Sequence, residues 1–164
     1  MTRKPDLAPT TARQVVVAVL AGAVVGWMIL SIFGLLNAFP PVAPWSLSVL
    51  LALLAVAAIV YARALPKRLE QRRVPALEAV RAMVMAKSLI ATGALLAGGH
   101  VVYVGRWVAL MAAELPASRV WHGLATIAAA AFCAWGGWVL ERACMIDGDG
   151  NDADSGEDQE AAAA

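Results

Sequence analysis

No Asp, Glu, Lys or Arg stands between Arg13 and Arg63. Ordinary soluble domains are about a quarter charged, whereas this chain is 15% charged and 61% hydrophobic, with a mean hydropathy of +0.70. The missing charge excludes a water-soluble fold for that stretch, which has too little polar surface to face solvent. Cysteine is scarce too. Cys133 and Cys144 alone make no disulfide framework, and on one helix they would lie about 16 Å apart along the axis, too far to bridge. His100 and His122 are the only histidines. A zinc site needs three or four ligands, and Glu114 is the one further candidate near them, so we expect no metal and no cofactor. The chain has no phosphate-binding glycine loop, no HExxH and no nucleophile elbow, the local patterns that many enzymes use to hold phosphate, zinc or a serine nucleophile. We expect no enzymatic activity. The basic residues are not interleaved with aromatics, which argues against nucleic acid as a partner.

What is present is four long apolar segments. A spanning helix needs about 20 mostly apolar residues, and residues 15–36, 45–62, 87–105 and 120–140 qualify. Pro40, Pro41 and Pro44 part the first two, and Leu115-Pro116-Ala117-Ser118 parts the last two, with Ser118 as the expected N-cap. Arg3, Lys4 and Arg13 precede the first run as in a secretory signal. That run is longer than a signal core of about 7–15 residues and no small-x-small cleavage site follows it, so it reads as a retained helix. The expected fold is therefore all-α: an integral-membrane four-helix bundle of two transmembrane hairpins. It divides into an N-terminal tail (1–14), a transmembrane domain (15–145) and an acidic tail (146–164).

Lysine and arginine set orientation, because they favour the cytoplasmic side. They collect in the N-terminal tail and in the loop 63–86, at Arg63, Lys67, Arg68, Arg72, Arg73 and Arg81. We expect a multi-pass plasma-membrane protein with both termini cytoplasmic. Trp45, Trp107 and Trp121 then fall at the outer interface, and Tyr61 and Trp138 near the inner one. The basic loop either attracts anionic lipid headgroups, at about 1 kcal/mol per residue near the surface, or serves topology alone. Within it, Pro75 and the stripe Leu77, Val80, Val84 suggest a short interfacial helix leading into the third span.

Helical spacing places Lys87, Ala91, Ala94 and Gly98 on one face of the third helix, and Ala130, Cys133, Gly137 and Glu141 on one face of the fourth. Small residues let helices approach closely in a membrane. An antiparallel pair of helices three and four is expected, with Lys87 facing Glu141 at the cytoplasmic end. Such a lysine either pairs or snorkels structurally, or marks a working site. Ala18, Gly22 and Gly26 make a similar face on the first helix, for packing within the monomer or for a homodimer.

Asp147, Asp149 and Asn151 open a stretch that looks briefly like a calcium loop. Asp152 stands where glycine is needed and Asp158 where a bidentate Glu is needed, so we reject an EF-hand. Seven acids between Asp147 and Glu160, with no aromatic among them, read as a disordered solvated tail.

The segments MAKSLIATGALLAGG, FPPVAPW, VVGWMIL and VLERAC together resemble a family of small actinobacterial membrane proteins, domain of unknown function 3180. Lys87, Gly93, Gly98, Arg142 and Cys144 carry the resemblance; Ser88, Gly99 and the Met145-Ile146 ending depart from it. The resemblance implies the four-helix architecture and no activity. Genes of that family often stand beside folate-biosynthesis genes. The expected role is a non-enzymatic scaffold or regulator acting through the basic loop on a protein partner or on anionic lipid. The alternative is a small four-helix transporter or transport subunit, dimeric in one version.

Overall fold

The computed structural model describes residues 9–38, 44–70, 76–108 and 114–146. They form four helices, α1 (Ala12–Leu35), α2 (Trp45–Glu70), α3 (Ala76–Val108) and α4 (Glu114–Ile146). Each contains a stretch long and apolar enough to cross a membrane: Ala12–Leu35, Trp45–Leu65, Val80–Val108 and Ala117–Met145. At 33 residues each, α3 and α4 are about 50 Å long, well beyond the ~30 Å hydrocarbon layer.

Local chemistry sets the ends of α1. Thr11 is its N-cap, and its hydroxyl accepts from the Gln14 N–H while the Gln14 side chain accepts from the Thr11 N–H at 3.0 Å, a reciprocal capping box. At the other end Asn37 takes φ 49°. The Asn37 N–H donates to Gly34 O and the Ala38 N–H to Phe33 O, which is the Schellman pattern that satisfies a helix's last carbonyls. A left-handed residue with a Cβ carries a steric penalty that glycine escapes and asparagine tolerates. Asn37→Ala is expected to lower thermal stability in detergent by about 1 kcal/mol, while Asn37→Gly should leave it unchanged or raise it.

The other helices depart from expectation at their ends. α2 continues through Pro66 to Glu70 rather than ending near residue 62. The expected short interfacial helix is not a separate element. Residues from Ala76 onward run without a break into α3, because between Ala76 and Thr92 there is neither glycine nor proline to stop them. α4 begins at Glu114, so Ser118 lies inside it instead of capping it, and the Ser118 carbonyl sits 2.6 Å from His122 Nδ1. Pro116 falls in the first turn, where a missing N–H forfeits no helical bond. Pro75, expected in the first turn of that helix, and the tail from residue 147 lie outside the described residues.

α3 and α4 form the central pair, with α1 packed on α3 and α2 on α4. α3 therefore packs on α4, and α1 meets α3 rather than its sequence neighbour α2. Bare backbones explain the pairing. A Cβ on Gly22 would strike the Leu95 carbonyl, and one on Gly26 would come 2.9 Å from Gly99 Cα, so α1 lies parallel to α3 at close range. Gly93 meets Ala130 and Ala134, and Gly137 meets Ala86, so α4 runs antiparallel to α3. Gly136 sits against Ala55 of α2 in the same way. Van der Waals approach of this kind drives helix association where lipid is the solvent.

The core is built from small and aliphatic side chains. Leu51 and Ala55 pack with Ala130 and Cys133, and Ala58 and Ala62 pack with Ala86 and Leu140. A polar contact between Ser48 and Thr126 is buried there. The Thr126 hydroxyl donates to the His122 carbonyl at 2.9 Å, so the Ser48 hydroxyl is the donor in the 3.0 Å bond between Ser48 and Thr126. α1 contributes only Gly22 to the fully buried set. Its large side chains, among them Leu20, Val24, Trp27 and Ile32, face outward.

Candidate functional site: the buried carboxylate at the joined end of the bundle

The start of α1, the end of α2, the start of α3 and the end of α4 come together at one end of the bundle. A charge is buried there. Glu141, on the last turns of α4, is 2% exposed. Its Oε1 accepts from the Thr10 N–H and from the Thr10 hydroxyl, both at 2.8 Å. Lys87 Nζ lies 4.0 Å from the same oxygen, with 40% of the lysine side chain exposed. A carboxylate at low exposure needs hydrogen bonds and countercharge to offset its lost hydration, and these three contacts supply both. Thr10 immediately precedes the N-cap of α1, so Glu141 also stands at the end of that helix where its dipole favours negative charge. The contacts join α1, α3 and α4 at a single atom.

The structure therefore brings Lys87 and Glu141 together. The stripe that led to Lys87 divides between two partners. Ala94 and Gly98 are buried, but Gly98 packs on Val19 and Ala23 of α1 rather than on α4, and Ala91 is exposed. α3 is covered on two sides, by α1 and by α4, so one stripe of small residues does not form one seam. The contact with α4 runs instead through Ala86, Ile90 and Gly93. Gly137 does lie in that contact, against Ala86, Leu89 and Ile90, while Cys133 is fully buried beside Leu51 and Ala55 of α2. Gly22 and Gly26 both face α3.

Of the basic set, Arg63 and Arg81 are exposed. Lys67 and Arg68 belong to α2 with side chains outside the described residues, and Arg72 and Arg73 lie outside them altogether. Next to Glu141, the Arg142 guanidinium sits 3.9 Å from the centre of the Trp138 ring, a cation–π contact that keeps its charge at the rim of the site. Sequence reasoning missed Thr10. Its partner is 131 positions away, and a threonine before a helix start carries no mark of what its hydroxyl will meet.

A family model described as a protein of unknown function, DUF3180, matches residues 15–147. No curated protein and no solved structure matches the chain.

Proposed function

The chain belongs to the DUF3180 family, whose function is unknown, so its role has to be argued from its own residues: we propose a multi-pass plasma-membrane protein with both termini in the cytoplasm. It acts there as a non-enzymatic scaffold or regulator, through the basic surface beside Lys87. Insertion is supported by four apolar helices whose outward faces carry Leu20, Trp27, Leu53 and Val56. In water these would form an apolar surface far larger than a soluble monomer shows. Orientation is supported by the Lys and Arg bias.

The observation that carries the scaffold reading is the Glu141 junction. It fixes the N-terminal segment to α3 and α4 at the end where Arg63 and Arg81 are exposed. A rigid base under a cationic surface suits a docking platform for an acidic partner segment or for anionic headgroups. The tightly packed core of alanine, leucine and cysteine supports the same reading. The alternative is a small transporter or transport subunit. The crevice that α1 and the start of α2 line lends it little, because its walls are nearly all apolar and offer a hydrated solute few hydrogen bonds.

Crosslinking in native membranes followed by purification tests the scaffold. The wild-type chain is expected to carry a distinct partner that Lys87→Ala loses at unchanged abundance. A wild-type chain that crosslinks only to itself defeats the proposal. Reporter fusions within residues 1–14 and 63–86 should read as cytoplasmic, and an external reading for either overturns the orientation.

A further inference from the structure

We infer that the crevice lined by α1, α3 and the start of α2 holds an acyl chain of an anionic phospholipid, with the lipid's head against Arg106 and Trp107. α1, α3 and the start of α2 enclose a trough of about 640 Å³, within the ~300–1,000 Å³ typical of small-molecule sites. Val25 and Ile29 of α1, Leu47 of α2 and Leu96 of α3 wall it. Leu30 and Phe33 line both this trough and a smaller hollow of about 240 Å³, which also includes Asn37, Arg106 and Trp107. The apolar trough therefore adjoins a hollow with a cation in its wall.

Two buried polar atoms in these walls have no hydrogen-bond partner among the described residues. They are the Tyr103 hydroxyl, whose residue lines the trough, and Trp107 Nε1, whose residue lines the hollow. Buried polar atoms in native proteins are nearly always paired, and leaving one unpaired costs more than an average hydrogen bond gains. A ligand oxygen would satisfy either atom. The Arg119 guanidinium lies 4.8 Å from the Trp107 ring centre and adds a second positive charge to that end. Apolar walls followed by an amide, an indole N–H and guanidinium groups match a hydrocarbon chain followed by a phosphate-bearing head. Soluble phosphate would leave the trough unused, and a neutral lipid would leave Arg106 unanswered.

The inference rests on membrane insertion, and the test separates the two. The full chain is reconstituted into mixed phosphatidylglycerol and phosphatidylcholine vesicles, checked by flotation, extracted in mild detergent, and its retained lipid is read by native mass spectrometry. Wild type should retain phosphatidylglycerol over phosphatidylcholine by about fivefold, the factor one basic residue near a lipid surface supplies. Arg106→Gln, at an exposed position, should lose that preference with its helix content unchanged. Leu47→Trp should fill the trough and lower retention of both lipids. Equal retention by wild type, or an unchanged preference in Arg106→Gln, overturns the inference. Displacement of the lipid by glycerol 3-phosphate assigns the site to soluble phosphate and overturns it as well. Failure to float with vesicles instead defeats the insertion on which it stands.

Discussion

Gly93→Ala is expected to destabilise the bundle by about 2–3 kcal/mol, while Gly105→Ala in the same helix stabilises it by up to about 1 kcal/mol. Two effects of the added methyl compete. In any helix interior, alanine gains about 1 kcal/mol over glycine because glycine loses more backbone freedom on folding. Against that stands contact. A Cβ on Gly93 would come 2.5 Å from the Ala130 carbonyl oxygen, 2.8 Å from the Ala134 nitrogen and 2.9 Å from the Ala134 Cβ. Two of these three atoms are backbone of α4 and cannot rotate aside, so α3 and α4 must separate along the central contact of the molecule. Overpacking of this kind costs about 1–3 kcal/mol even where side chains can adjust. Among the described residues, no heavy atom from another helix lies within 4 Å of a Cβ added at Gly105, so there the propensity gain stands alone. Unfolding by heat or by denaturing detergent, followed by circular dichroism, reads both variants. Equal behaviour of the two would mean that α3 and α4 are not in close contact at Gly93.

The same glycine shows how far residue pattern reaches in this chain. The four apolar segments were legible because the bilayer sets a length that composition alone can meet, and four helices stand there. Which helix meets which was harder to read. A stripe of small residues announces close approach without naming a partner, and α3 has two. The stripe through Lys87 therefore yielded its contact with Glu141 but misplaced Ala91 and assigned Gly98 to the wrong neighbour. Helix ends suffered where a proline was read as a boundary and where Pro66 was passed over. Pro116 is harmless in a first turn, and α2 carries Pro66 within its final turns. The Thr10 contact with Glu141 was out of reach, since nothing local distinguishes a threonine that will cap a distant carboxylate from one that faces water. Unpaired atoms such as the Tyr103 hydroxyl are likewise a property of packing and leave no trace in residue order.

Glu141→Ala is expected to lower stability by about 2–3 kcal/mol and to free the N-terminal segment, with Glu141→Gln intermediate and Lys87→Ala at or below about 1 kcal/mol. The ranking follows from what each change leaves behind. Alanine removes an acceptor of two 2.8 Å bonds from Thr10, and hydrogen bonds to a charged group contribute about 1.5–3 kcal/mol. Glutamine keeps a carbonyl oxygen for both Thr10 donors and gives up the charge that the start of α1 and Lys87 favour. Removing Lys87 leaves both Thr10 bonds in place. The lysine is 40% exposed at 4.0 Å from the carboxylate, so water screens much of that attraction. Amide exchange at Thr10 and Thr11, or limited proteolysis ahead of α1, should report release in Glu141→Ala and not in Lys87→Ala. If Lys87→Ala matches Glu141→Ala in both stability and release, the ion pair holds the junction and the threonine tether is secondary. If instead Lys87→Ala leaves the fold intact but loses the crosslinked partner, the lysine charge serves binding while the Thr10 hydrogen bonds serve the fold.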